Sequence, residues 1–265
     1  MKVVLFCGGY GMRMRNGPAD DVPKPMQMVG PRPLLWHVMR YYAHFGHQDF
    51  LLCLGYGAHH IKDSFLTYTE TASNDFVLRG GRVELLSADI GDWRITFVHT
   101  GLESSIGERL RRVREHVEEE EMFLASYADV LTDAPLDVMV GNLAGSDAGA
   151  SMMVVPPQVS FHTVELDGHQ VRSVSSAKAL PVWENAGYFV LRQEIFDHLP
   201  KNGDLVEDTC GALARRGRLI AYPYRGFWQA ADTFKERAAL DAAYESGARP
   251  WMSWERDELM AGARA

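Results

Sequence analysis

The stretch Lys2-Val3-Val4-Leu5-Phe6-Cys7-Gly8-Gly9-Tyr10-Gly11-Met12-Arg13 decides the fold. Its first half is a short, β-branched apolar run, which predicts a strand buried on both faces in a parallel sheet. The run then breaks into Gly8, Gly9 and Gly11. Glycine lets a backbone come close to a ligand, because it has no Cβ to clash. Successive N–H groups in such a loop converge on phosphate oxygens, as they do at a helix N-terminus. The spacing is not that of a P-loop, and no glycine completes a dinucleotide G-x-G-x-x-G fingerprint. Taken alone, the glycines read equally well as a tight turn after the first strand.

Working outward, Pro23 and Pro25 bracket Lys24 and hold the chain extended there. Leu34, Leu35, Val38, Tyr41, Tyr42 and Phe45 recur at helical spacing before Gly46, predicting a helix over 34–45. Residues 49–55 read as a second buried strand and 58–66 as a helix. That order predicts an α/β fold: a doubly wound, mostly parallel, Rossmann-like sheet with helices on both faces. Residues 75–86 and 94–98 read as strands pairing antiparallel in a small edge insertion. A helix over 105–118 follows, then a strand over 122–127 closing on Asp129 and another strand over 147–156. Residues 161–174 read as a hairpin turning at Asp167-Gly168, and 185–191 as a strand. A helix over 205–216, a strand over 219–223 and a helix over 232–245 complete the pattern. The tail after Gly247 is expected to pack Trp251 and Trp254 on the body. There is no internal repeat and no low-complexity linker, so 1–265 reads as one domain.

A net charge of −8 argues against nucleic acid, because binding a phosphate backbone needs a basic face. A small anionic substrate remains compatible, since a few local cations outweigh the global sign. Cys7, Cys53 and Cys210 are far apart, and none pairs at metal-ligand spacing, which points to a reducing, cytoplasmic compartment. No apolar run approaches the roughly 18 residues that span a bilayer, so no membrane partner is expected.

The strand, the G-G-x-G-x-R loop and the following Lys24-Pro25-Met26 together resemble the sugar-1-phosphate nucleotidyltransferase family. Pro33 to Met39, Gly55-Tyr56, Thr100-Gly101, Phe227-Trp228-Gln229 and Pro250-Trp251 resemble its glucose-1-phosphate cytidylyltransferase branch, so the likeness spans nearly the whole chain. The resemblance implies a Mg²⁺-dependent enzyme that joins a nucleoside triphosphate to a sugar 1-phosphate and releases pyrophosphate. It implies that Phe6, Gly8, Gly9, Tyr10, Gly11, Met12 and Arg13 hold the nucleotide, with Lys24 on its phosphates. Ser104, Arg109 and Ala128 would belong to the same pocket. Asp129 and Asp232 would hold Mg²⁺, Lys178 would meet the sugar phosphate, and Asn185 and Glu207 would face the sugar. Catalysis would fall to Arg13, Lys24, Asp129 and Lys178. These residue types suit the reaction, because Mg²⁺ takes one or two carboxylates plus substrate phosphates, and phosphoryl chemistry needs positioning and charge rather than a covalent nucleophile. CTP is the favoured nucleotide. An assembly of identical copies is left open.

Other readings of single residues stand beside these. Asp232 precedes Thr233-Phe234-Lys235-Glu236, a capping-box pattern, so on its own it is a helix cap. Asp129 on its own satisfies a turn, and Arg109 is one of several arginines on a solvated helix. The chain reads Ala128-Asp129-Val130 where the family has Gly-Asp-Gly, which points to a sugar with a smaller or missing substituent at that contact, and Ala177-Lys178-Ala179 where it has Glu-Lys-Pro, which bears on the sugar more than on the reaction. A UTP- or dTTP-using relative, a non-catalytic nucleotide-sugar-binding homologue and a glycosyltransferase of related fold are the competing functions.

Overall fold

The computed structural model describes residues 1–9, 22–158 and 162–256. The loop residues Tyr10, Gly11, Met12 and Arg13 therefore lie outside the described residues. The main sheet contains β1 (Lys2–Phe6), β4 (Asp49–Leu54), β7 (Arg94–His99), β8 (Met122–Tyr127), β10 (Ala150–Val155), β13 (Glu184–Arg192) and β14 (Leu219–Pro223). Four short strand pairs flank it. They are β2 (Met28–Val29) with β3 (Arg32–Pro33), β5 (Phe76–Arg79) with β6 (Arg82–Leu85), β11 (His162–Asp167) with β12 (Gln170–Ser176), and β9 (Val130–Thr132) with β15 (Trp228–Ala230). The sheet order is β14-β10-β13-β8-β1-β4-β7, and β13 alone runs antiparallel to its neighbours in it.

Strand alternation divides the core in two. Val3, Leu5 and Cys7 of the opening run face one hydrophobic cluster, while Val4 and Phe6 face the other. Helices α1 (Leu34–His44), α2 (Ala58–Leu66), α6 (Leu136–Ala144) and α8 (Phe234–Glu245) bury apolar residues in the first cluster. Helices α4 (Ile106–Arg112), α5 (Arg114–Val117) and α7 (Gly211–Arg215) cover the opposite face, and the short α3 (Glu70–Ser73) leads into β5. This is the doubly wound, mostly parallel α/β architecture expected from the opening stretch. The tail closes over α1: the Trp251 indole donates to His37 Nδ1 at 3.3 Å, and Trp254 meets Trp36 edge-on at 5.9 Å.

Several expectations need correction. The strand at 94–98 does not join the edge hairpin; β7 extends the main sheet parallel to β4, in register Asp49↔Arg94 to Leu54↔His99. The hairpin β5–β6 pairs with itself, because Gly80 and Gly81 at φ +57° and +78° supply a tight turn that suits a two-residue link. The helix expected over 105–118 breaks at Val113, whose φ and ψ of −104° and 8° leave the helical region. The one over 205–216 opens with a π-helical turn, Leu205–Cys210. Helix α6 and the β9–β15 pair are not anticipated by the sequence reading.

Candidate active site

A cavity of about 610 Å³ opens at the C-terminal ends of β1 and β8, where ligands of open α/β sheets bind. Among the described residues, Lys24 is one of the two cations on its wall. The Lys24–Met26 segment is a single 3₁₀ turn, entered from extended Pro23 and stiffened by Pro25, so the lysine projects from a fixed backbone. Its Nζ lies 2.6 Å from Asp129 Oδ2 and also bonds Asp232 Oδ1. The sheet explains why two acids 103 positions apart meet (232 minus 129). Val130 pairs with Ala230 across β9 and β15, and Ala231 N donates to the Asp129 carbonyl at 2.9 Å.

Helix α8 has its own cap. Thr233 accepts from Glu236 N at 3.3 Å while the Glu236 carboxylate reaches back to Thr233 N, which completes a capping box without the Asp232 side chain. Asp232 is therefore not the cap, and its carboxylate is directed to Lys24 instead. Burial lifts the Asp129 carboxyl above the usual carboxylate range, Lys24 opposes that rise, and the charge of Asp232 adds to it. Burial alone would lower the Lys24 ammonium, yet the two carboxylates overcome it and hold the lysine above its ordinary value. Two carboxylates converging on one ammonium also suit a hard divalent cation whose remaining ligands come from phosphates and water. Among the described residues no group of three or more His, Cys, Asp or Glu makes a self-sufficient metal site.

Arg109 forms the second cationic element, and it is not a solvated helix residue. Only 4% exposed, it donates to the carbonyls of Gly8 (3.0 Å), Gly101 (2.8 Å), Leu102 (3.2 Å) and Leu54 (3.3 Å), and to Thr100 Oγ1 (2.9 Å). These acceptors follow or end β1, β4 and β7, so one guanidinium ties three strand ends together. The glycine at position 8 has a steric reason: a Cβ there would stand 2.0 Å from Arg109 Nη1.

Of the other expected residues, Phe6, Gly8, Gly9, Ser104 and Asn185 line the same cavity. Ser104 donates to the Thr100 carbonyl, and Asn185 donates to the Tyr127 hydroxyl at 3.3 Å. Three do not line it. The Ala128 methyl is buried in the core, although Val130 beside it is on the wall. Glu207 is exposed and lines a separate groove with Asp208 and Arg215. Lys178 is exposed on the 3₁₀ turn Ala177–Ala179 that follows β12. In their place the cavity wall carries Tyr127, Asp204 and Trp228, which sequence reading gave no site role. Tyr127 ends β8 two residues before Asp129, a position where a site residue is to be expected. Asp204 carries only the signature of a helix cap.

Comparison with known proteins follows the same lines. No protein-family model matches the sequence. A glucose-1-phosphate cytidylyltransferase of Salmonella typhi is 33% identical over 258 residues, which cover 96% of this chain and 100% of the relative. The chain belongs to the glucose-1-phosphate cytidylyltransferase family. A probable family member from Bacillus subtilis (strain 168) is 32% identical over the same shares of both chains. Among solved structures, an apo UDP-glucose pyrophosphorylase superposes with a TM-score of 0.69 at 17% identity, covering 94% of this chain and 99% of that one. A putative glucose-1-phosphate thymidylyltransferase from Bacillus anthracis gives 0.64 at 15% identity, over 91% and 94%. These structural likenesses show the fold. The family member described here is a sugar-1-phosphate nucleotidyltransferase.

Proposed function

We propose that the enzyme condenses CTP with a sugar 1-phosphate, glucose 1-phosphate being the first candidate, to give a CDP-sugar and pyrophosphate. The observation that carries this reading is the Lys24 ammonium held between Asp129 and Asp232 beside the Gly8-Gly9 backbone. The relatives' names supply the base and the sugar. Of the two substitutions flanking Asp129, only Val130 bears on the sugar, because the Ala128 methyl is buried in the core; the expectation of a sugar with a smaller substituent therefore rests on Val130 alone, and glucose 1-phosphate stays the first candidate.

Asp129 and Asp232 would hold Mg²⁺, which when bound neutralises phosphate charge. The residues of the chain do the rest. Gly8 and Gly9 offer close backbone approach, with Gly8 fixed by Arg109. Lys24 exchanges its carboxylate partners for phosphate oxygens and stabilises the charge that develops on the departing pyrophosphate. A sugar-phosphate oxygen attacks the α-phosphorus in line, the new P–O bond forms, and the bond to the β-phosphate oxygen breaks. No enzyme nucleophile is needed. Cys7 on the wall is no candidate, since burial pushes its thiol well above its ordinary range and keeps it protonated. Among the described residues no helix is long and apolar enough to cross a membrane, and the three cysteines are unpaired, which supports a cytoplasmic enzyme.

The test is pyrophosphate release with Mg²⁺, each of CTP, UTP, dTTP, ATP and GTP, and a panel of sugar 1-phosphates. CTP with glucose 1-phosphate is expected to lead, and EDTA to stop the reaction. Preference for UTP or dTTP would overturn the base assignment. Sugar transfer from a nucleotide-sugar with no pyrophosphate chemistry in either direction would overturn the reaction itself.

A further inference from the structure

The structure assigns a substrate-selecting role to Asp204, whose carboxylate on the cavity wall accepts a hydrogen bond from a hydroxyl of a carbohydrate ring. This inference rests on the nucleotidyltransferase reading above and deepens it.

Asp204 is unusually well fixed for a residue on a substrate cavity. Its backbone N donates to Asp208 Oδ2 at 2.7 Å, and its carbonyl accepts from Thr209 N at 3.2 Å and Thr209 Oγ1 at 3.1 Å. The residue before it is pinned as well, since Ser105 Oγ donates to the Gly203 carbonyl at 2.7 Å. One carboxylate oxygen, Oδ1, takes the N–H groups of Val206 (2.6 Å) and Glu207 (2.9 Å) and so caps the π-helical turn. Among the described residues the second oxygen, Oδ2, has no hydrogen-bond donor and no cationic partner. The residue lines the cavity. A cap needs only one oxygen. The other is a rigidly oriented acceptor with spare capacity.

Charge decides what that acceptor meets. An unneutralised carboxylate repels phosphates, so it faces a neutral, donor-bearing part of the ligands. The neighbouring wall completes the pattern. Tyr127 lies close enough for the Asp204 charge to act on its phenol. Its hydroxyl accepts from Asn185, and among the described residues no acceptor takes its own proton. A ligand hydroxyl is both donor and acceptor, so a single one can donate to Asp204 and accept from Tyr127. Two rings in this reaction carry such groups, the sugar of the sugar phosphate and the ribose of the nucleotide.

The variant Asp204→Asn separates the two uses of the carboxylate. Asparagine keeps an oxygen for the cap, since Asn and Asp cap about equally, and replaces the free acceptor with an N–H₂ donor. The probes are glucose 1-phosphate, its 2-, 3-, 4- and 6-deoxy analogues, and CTP with its 2′- and 3′-deoxy forms. Asp204→Asn is expected to lower kcat/KM for glucose 1-phosphate by about 10- to 100-fold, the range for a lost hydrogen bond to a charged group. The melting temperature should not move. One deoxy compound should already be poor with the parent and lose nothing further in the variant; whether it is a deoxy-sugar or a deoxy-nucleotide names the ring. Parent-like kinetics in Asp204→Asn with every compound would show that the carboxylate is only a cap. An equal loss with every deoxy compound would show a general disturbance instead, and would also overturn the assignment. Failure of the underlying reading looks different. The parent itself then releases no pyrophosphate with any pair, and the selection assigned to Asp204 falls with it.

Discussion

Arg109, buried, and Lys24, half-buried, are both cations on the wall of one cavity, and their partners are opposite in kind. Arg109 is held by four backbone carbonyls and a threonine hydroxyl, none of which carries a charge. Burial lowers its pKa, yet a guanidinium stays charged in any accessible range. Lys24 sits between two carboxylates, so the three groups together carry one net negative charge, +1 and −2. Carbonyl partners belong to the strand ends and cannot leave. Carboxylate partners can be traded for phosphate oxygens or a divalent cation without unfolding anything. In the proposed reaction the first arrangement would shape the site and the second would operate in it, which suits a planar five-donor group to one and a compact ammonium to the other.

The largest effect should come from the operating side. Asp129→Asn is expected to reduce kcat for pyrophosphate release by about 10³-fold or more, the scale on which charge stabilisation in a preorganised site is lost. The melting temperature should stay near that of the parent, because burial already disfavours the Asp129 carboxylate. If steady-state kinetics showed substantial activity in this variant, Lys24 would be sufficient alone and the contrast with Arg109 would be broken.

On the shaping side, Arg109→Met should act first on stability. It strands the Gly101 and Leu102 carbonyls, while the Leu54 carbonyl keeps Thr100 N and Oγ1 and the Gly8 carbonyl keeps Tyr56 N, and unpaired buried polar groups cost about 1–3 kcal/mol each before water reaches them. A loss of about 3 kcal/mol in urea unfolding is expected. In the folded fraction KM for the nucleotide should rise more than kcat falls, because Gly8 is no longer anchored. An Arg109→Met enzyme with full stability and only kcat impaired would mean that the guanidinium touches substrate rather than backbone.

These two cations were unequally legible in the sequence. Lys24 is announced by its flanking prolines and by the ordered acids downstream, and β1, α1, β4, α2 and β8 fall within a residue or two of where periodicity puts them. Arg109 looked like one arginine among four on a polar helix, 109, 111, 112 and 114, because spacing cannot say which donor meets three strand ends. Asp232 was hidden by a real capping box. The pattern Thr-x-x-Glu is legible, but that the preceding aspartate turns to Lys24 depends on β9 pairing with β15, a long-range contact between segments too short to show periodicity. Glu207 and Asp204 share one turn, and which of them faces the cavity depends on its π-helical geometry. Lys178 and the β11–β12 hairpin before it are visible as local structure, while whether the lysine lines the cavity is a tertiary fact.

A third prediction sharpens the comparison through Glu108, the acid next in sequence to Arg109. Its carboxylate is committed elsewhere, to Arg111 at 2.6 and 2.7 Å and Arg112 at 2.9 Å, which leaves Arg109 to the carbonyls. The Arg111 bonds, followed by those of Arg112, hold the Glu108 carboxyl at about 2 against an ordinary 4.5. A depressed folded pKa contributes stability that is complete above the unfolded value and is lost as pH falls towards the folded one. Glu108→Gln should therefore melt a few degrees below the parent at neutral pH, with a gap that is constant above about pH 5 and closes between 4.5 and 2. A pH-independent gap would assign the loss to packing instead of charge.

The smallest effect tests whether Asp232 serves Lys24 alone. Thr233 caps α8 through its hydroxyl, and Glu236 returns the bond, so Thr233→Ala should cost about 1 kcal/mol in urea unfolding, the usual value of an N-cap. Its pyrophosphate release should be unchanged, because the Lys24 contact does not pass through the threonine side chain. Asp232→Asn is the mirror experiment. The cap is untouched, so unfolding should be unaffected, while turnover falls with the loss of one of the two charges facing Lys24. The pair of variants is informative because each residue has a single expected readout, stability for one and activity for its neighbour. If Thr233→Ala depressed turnover as strongly as Asp232→Asn did, the start of α8 would be acting as one unit. The carboxylate partners of Lys24 would then be as much part of the fixed framework as the carbonyls around Arg109, and the distinction between a shaping cation and an operating one would not survive.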